Sequence, residues 1–357
     1  MILLNPGPVN ITERVRSALT KADLCHRESE FISLQNSVRK NLLKVYNLNN
    51  ETWGPALITG SGTAAVEAML ISMIPTMSKL LIIENGVYGE RMKKIASAYS
   101  LPHDSLKYDW TEEIDIEQVE STLKTNKFTH LAVVHHETTT GRLNNLAAIS
   151  KICAQTKTKL LVDAVSSFGA EEINFSEEKT PLSACAATSN KCLHSSPGIS
   201  FVLLNRSDLK KNIPQRSVYL DLKHYLSAQD NNSTPFTQSV QSLYALDEAL
   251  RELLECGGWL KRNNIYKERM RDVSIHLESL GLSTLLPDDS YSLVLKSFRM
   301  PASKNYDDLH SFLKKNGFVI YAGQGPYQKQ IFRISLMGQI TEGDISRFKK
   351  TMTDFFS

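Results

Sequence analysis

The chain reads as an α/β protein: a large unit with a mostly parallel central sheet covered by helices, followed by a smaller α+β unit. Three observations predict this. Apolar runs that suit fully buried strands, ALIT, KLLIIE, HLAVV and KLLVD, recur between helical stretches across residues 56–163. Each run stops at a polar or glycine-rich loop. Beyond residue 290, short strand-like and helical segments alternate at closer spacing.

In chain order, the opening segment holds Pro6, Gly7 and Pro8 and is too interrupted for a helix, so it reads as an extended arm. A first helix follows over residues 12–22, starting at Thr12. Phe31, Leu34, Val38, Leu42 and Val45 recur every three or four residues and mark a second, amphipathic helix. ALITGSGTAAVEAML (56–70) is a strand, a glycine turn and an alanine-rich helix. Such a helix start presents free N–H groups and the positive end of its dipole, which suits an anion, with Ser61 and Thr63 hydroxyls able to add hydrogen bonds. An ordinary serine-capped turn would have the same sequence.

KLLIIENGVYGERM (79–92), HLAVVHHETTTGRL (130–143) and KLLVDAVSSFGA (159–170) are further strand and loop units, ending in Tyr88, Thr138 and Asp163 at the edge where open α/β sheets bind ligands. TSNKCLHSSPG (188–198) places Lys191 on that edge, before a Pro-Gly turn and a buried strand, ISFVLLN. QDNNSTPF (229–236) is expected to be a loop. A long helical stretch from Val240 breaks at Gly257 and Gly258 and resumes toward Leu280. The expected divisions are an arm over 1–14, a large domain over 15–255 and a small domain over 256–357.

Composition narrows the function. The 357 residues are 41% hydrophobic and 22% charged, and the net charge of +3 comes from 41 basic and 38 acidic residues mixed along the chain, so nothing points to nucleic acid or a membrane surface. No apolar run approaches the roughly 18 residues of a membrane span. Five scattered cysteines without a C-x-x-C pair indicate neither disulfides nor zinc, and a reducing cytoplasm fits them. A soluble, unprocessed protein with no metal is expected. His135 and His136 have no ligand set at metal spacing and read as packing or loop residues.

An anion turn, an aspartate after an apolar strand and a lysine at another strand end are together what pyridoxal phosphate chemistry requires. The lysine bonds covalently to the cofactor and moves a proton, the aspartate pairs with the ring nitrogen, and an aromatic ring such as Tyr88 stacks on the cofactor.

The motifs NPGP, GSGTAAVEAML, NGVYGER, HHETTTG, LLVDAVSSFG, SNKC and FRISLMG, in this order, resemble the class V aminotransferases of fold-type I, nearest the 2-aminoethylphosphonate:pyruvate group. The resemblance implies a homodimer with shared active sites, using an amino donor and an oxo-acid acceptor. It implies that Lys191 is the Schiff-base lysine, Asp163 the pyridinium partner, and Ser61, Gly62 and Thr63 the phosphate loop. Tyr88 would stack on the ring and Thr138 approach its hydroxyl. Thr237, or alternatively Thr234, would reach the neighbouring subunit's phosphate, although the family's Thr-Pro-Pro-Val is here Thr-Gln-Ser-Val. Arg333 matches the carboxylate-binding arginine, and Gly7 lies in the arm beside the substrate. Arg27 is a candidate second cation for a phosphonate, with Glu28 and Glu30 close enough to pair with it instead; Arg216 is another. Alternatives are an alanine:glyoxylate or serine:pyruvate transaminase, a pyridoxal phosphate lyase, and a catalytically silent binding protein. A desulfurase-type lyase would need a cysteine well past the lysine, and none follows Cys256.

Overall fold

A computed structural model of the chain describes residues 1–125, 128–175, 180–210 and 213–357. The arm opens with strand β1 (Ile2–Leu3), then leads to α1 (Glu13–Ala18) and α2 (Ser29–Lys44). The Thr12 hydroxyl accepts from the Val15 N–H and caps α1. α2 buries Phe31, Leu34, Val38 and Leu42, the stripe its spacing predicts.

The large sheet is then assembled from β2 (Trp53–Thr59), α3 (Gly62–Met73), β3 (Leu80–Glu84), α4 (Val87–Ala98), β4 (His103–Lys107), α5 (Ile116–Thr125) and β5 (His130–Val134). A hairpin, β6 (His136–Glu137) with β7 (Arg142–Leu143), precedes α6 (Leu146–Thr156), β8 (Lys159–Asp163), β9 (Leu182–Thr188) and β10 (Ile199–Asn205). The strand order is β2-β10-β9-β8-β5-β3-β4. Leu57 and Ile58 are neighbours on β2 but enter different cores, as pleated strands buried on both faces must.

All pairs in this sheet are parallel except those of β10, which runs antiparallel to both β2 and β9. The connection from β9 to β10 is the short turn that carries Lys191, too short for the crossover a parallel return needs.

α7 (Leu222–Asp230), α8 (Val240–Glu255) and α9 (Gly258–Ser279) follow. The expected loop at 229–236 therefore begins two residues late. Gln229 and Asp230 complete α7, where the Gln229 side chain bonds the Leu57 backbone and Asp230 pairs with Arg39 and Arg206. Gly257 and Gly258 break the helical stretch in the left-handed region, at φ 96° and 72°.

The last elements are β11 (Leu295–Arg299), α10 (Tyr306–Lys315), β12 (Phe318–Val319), β13 (Tyr321–Ala322), β14 (Ile331–Ser335) and α11 (Glu342–Phe356). β11, β14 and β13 form an antiparallel sheet. Its core joins Val273 and Leu277 of α9, Leu309, Phe348 and, from the arm, Leu4. β1 pairs in parallel with β12, so the first residues of the chain belong to this second body. Among the described residues no helix is long and apolar enough to cross a membrane.

Candidate active site

The carboxyl ends of β2, β8 and β9 open on one cavity, lined among others by Gly7, Ser61, Gly62, Thr63, Tyr88, Arg91, Asp163, Lys191 and Arg333. This is the edge where a parallel sheet collects loop residues.

Ser61, the residue before α3, is extended and its side chain makes no capping bond, so the first N–H groups of α3 keep their capacity for an outside acceptor. A Cβ on Gly62 would lie 2.8 Å from Val165 Cγ1, so only glycine fits there. Thr63 Oγ1 accepts a hydrogen bond from Arg91 Nη1 at 3.1 Å.

Lys191 follows β9. Its Nζ donates to Ser166 Oγ at 2.7 Å and sits 5.7 Å from the centroid of the Tyr88 ring. The arm packs closely on it: Gly7 has φ 107°, and a Cβ there would lie 3.0 Å from Lys191 Cγ. His194, just after the lysine, accepts at Nε2 from the Gly338 N–H at 2.9 Å, which ties the lysine loop to the residues after β14. Asp163, 6% exposed, accepts at Oδ1 from the Val165 N–H at 2.9 Å. Burial raises its pKa, while that bond and the charges of Lys191 and Arg91 oppose the rise.

Arg333 is 3% exposed yet reaches the cavity. Its Nε donates to the Ala322 carbonyl at 2.8 Å and its Nη1 to the Thr138 carbonyl at 2.7 Å. Among the described residues no carboxylate lies within ion-pair distance of it. A buried guanidinium held only by neutral carbonyls is a site for an anion.

Thr138 thus contributes its carbonyl to Arg333, while its buried hydroxyl has no partner among the described residues. Two residues proposed for the second cation stand elsewhere. Arg27 is exposed in the turn before α2 and does not line the cavity. Arg216 closes the C-terminal end of α3, donating from Nη1 to the carbonyls of Ile71 at 2.8 Å and Ile74 at 2.7 Å, the usual place for a cation at a helix end. Thr237 is exposed and outside this cavity.

Besides Lys191 and Arg333, Arg91 lines the cavity, and its Cζ lies 4.8 Å from the Tyr88 ring centroid. It is one helical turn beyond Tyr88, and that i, i+3 spacing could have identified it. Ser166, Asn190, Tyr321 and Gln324 were also missed. Ser166 stood in the quoted DAVSSFG motif, and Gln324 carries a buried side-chain oxygen without a partner among the described residues.

His135, in the bend after β5, and His136, on β6, are both buried and are bonded through Nδ1 to Ser167 Oγ and the Ser166 carbonyl. Burial pushes them down to about 4 and about 3. Glu137 beside them is fully buried, and burial pushes it up to about 7 against the pull of its hydrogen bonds.

Residues 13–348 match the family described as aminotransferase class-V. A 2-aminoethylphosphonate–pyruvate transaminase of Phocaeicola vulgatus is 35% identical over 354 residues, which cover 97% of this chain and 96% of that protein. A bifunctional phosphonoacetaldehyde hydrolase/aminoethylphosphonate transaminase of Clostridioides difficile is 35% identical over 100% of this chain, which spans only 56% of that relative's length. Among solved structures, an aspartate aminotransferase of Thermus thermophilus superposes with a TM-score of 0.88 at 26% identity, covering 99% of both chains. An alanine–glyoxylate aminotransferase of Nostoc shares the fold with a TM-score of 0.92 at 24% identity, covering 100% of this chain and 95% of that one. With the family match running through both sheets and every strand end that lines the cavity, the chain belongs to the class V aminotransferases.

Proposed function

We propose that the protein is a cytoplasmic, homodimeric, pyridoxal 5′-phosphate-dependent transaminase that moves the amino group of 2-aminoethylphosphonate to pyruvate, giving phosphonoacetaldehyde and L-alanine. The residues present fit the cofactor. The uncapped start of α3 and the hydroxyls of Ser61 and Thr63 suit its phosphate, Asp163 its ring nitrogen, Tyr88 its face and the unpartnered Thr138 hydroxyl its ring oxygen. Thr237, or else Thr234, serves the phosphate bound in the second subunit. When bound, pyridoxal phosphate supplies an electron sink for the carbon that loses its proton.

The protein's own residues do the rest. Lys191 Nζ would hold the cofactor and would carry the proton of the reacting carbon, and Ser166 Oγ holds that amine in place. Gly7 brings the arm against the lysine and narrows the access of water.

The observation that carries the substrate reading is Arg333, buried, charged and without a carboxylate partner among the described residues. It requires an acid group on the substrate, and Arg91 offers a second positive charge suited to a phosphonate. The names of both relatives support the same donor, and that of the Phocaeicola enzyme supports pyruvate as acceptor. Incubating the purified enzyme with 2-aminoethylphosphonate and pyruvate should yield phosphonoacetaldehyde and alanine in equal amounts. Glyoxylate-dependent consumption of alanine without phosphonate turnover would overturn the substrate assignment and leave the transaminase.

A further inference from the structure

Glu137 does not line the cavity, and no step above uses it. Its buried carboxylate nevertheless gathers four donors. Oε1 accepts from the Thr139 N–H at 3.2 Å and the Thr139 hydroxyl at 2.5 Å, and Oε2 from the N–H groups of Tyr88 at 3.2 Å and Gly89 at 3.4 Å. The Val87 N–H is met by Thr139 Oγ1 at 3.1 Å. Three successive donors at the start of α4 are therefore satisfied from residues 137 and 139, on the other side of the site.

An α-helix leaves its first N–H groups unpaired, and a negative group at that end is favoured by the helix dipole. α4 cannot cap itself, because the residue before it is Gly86, and a Cβ there would come within 2.2 Å of Glu137 Cδ. The cap comes instead from a loop that is also fixed on its far side. The Thr138 carbonyl accepts from Arg333 Nη1, whose Nε is held by the Ala322 carbonyl.

We infer that Glu137 is a positioning residue, a buried carboxylate that fixes the start of α4, and with it Tyr88, relative to the loop that anchors Arg333. The face over the cofactor and the anchor for the substrate acid are thereby held at one distance by a single side chain. This rests on the roles given above to Tyr88 and Arg333. Arg91, one turn further along α4, follows the same cap.

The test is Glu137→Gln in the holoenzyme, which keeps the side chain's size but turns one acceptor into a donor facing N–H groups. Absorbance titration gives the Kd for pyridoxal 5′-phosphate, steady-state assays separate KM for the amino donor from kcat, and melting reports the fold. The expected result is a rise in both cofactor Kd and donor KM of about ten- to a hundredfold, with kcat changing less, because ångström-scale displacement of binding groups has effects of that size. A variant that melts earlier yet binds cofactor and donor with wild-type constants would reduce Glu137 to a stabilising residue and overturn the inference. If Glu137→Gln is not recovered folded, Thr139→Val carries the test, since it removes the hydroxyl shared by Glu137 and Val87. It should move both constants in the same direction, and unchanged constants there count against the inference. Wild-type protein that takes up no cofactor would instead overturn the reading of the site itself.

Discussion

Lys191 Nζ is held by the hydroxyl of Ser166 at 2.7 Å, a neutral partner supplied by the loop after β8. The same residue's carbonyl accepts from His136 Nδ1 and faces the Cys192 thiol, so the serine is fixed from three directions. Ser166→Ala should leave the lysine amine unrestrained while the cofactor still binds. Because a hydrogen bond to a charged group contributes about 1.5–3 kcal/mol, kcat should fall about tenfold or more. Stopped-flow absorbance after mixing with the amino donor measures it, and an unchanged rate would remove Ser166 from the mechanism.

Lys191→Ala deletes both the covalent anchor and the proton carrier. Turnover should fall by about a thousandfold or more, the scale of general acid–base contributions. Treatment with borohydride should fix the cofactor irreversibly to the wild-type protein but not to the variant, which intact-mass measurement distinguishes.

Arg333→Lys keeps the charge but loses the planar fork that reaches the carbonyls of both Ala322 and Thr138. The ammonium cannot hold both and also present a donor to substrate. KM for the acidic donor should rise by about a hundredfold, within the 2–5 kcal/mol typical of a lost buried charge contact, with a smaller change in kcat. Equal effects on a donor lacking any acid group would argue for a purely structural role.

Acid stability should depend on Glu137 with a definite sign. His135 and His136 are held neutral down to about 4 and about 3, so the stability they confer is present above 6.5 and lost as pH falls. Glu137 keeps its proton up to about 7, against 4.5 when unfolded, so its contribution is full below 4.5 and lost as pH rises through 7. Between these values the two effects oppose each other. Glu137→Gln removes only the second, and its unfolding free energy should fall more steeply on acidification between pH 6.5 and 4.5, by about 1.4 kcal/mol per pH unit. Urea melts across that range measure the slope, and parallel curves would refute it.

Much of the site was legible because parallel strands end at one edge: Ser61, Tyr88, Asp163 and Lys191 could be brought together before any contact was known. What escaped were relationships between segments. Glu137 stood in a quoted motif, but its partners Tyr88 and Gly89 lie some fifty residues earlier and meet it only because α4 and β6 pack together. Arg27 and Arg91 are both arginines near carboxylates in sequence, and only the helix around Arg91 turns it toward the cavity. β4, with its half-exposed polar residues, has no apolar run to announce it and is recognisable only from its pairing with β3.

The seating of the arm has a consequence for the order of events at the ribosome. Ile2 and Leu4 donate to the carbonyls of Gly317 and Val319, the Leu4 carbonyl receives the Ser335 N–H, and Asn10 receives that of Gln339. The partners of the arm therefore stand far later in the chain and are synthesised long after it. Gly7, which closes against Lys191, stands between those contacts, so the cavity gains its roof only after residues 317–339 have emerged. A nascent chain arrested before residue 317 can complete the large sheet and still leave the lysine open to solvent.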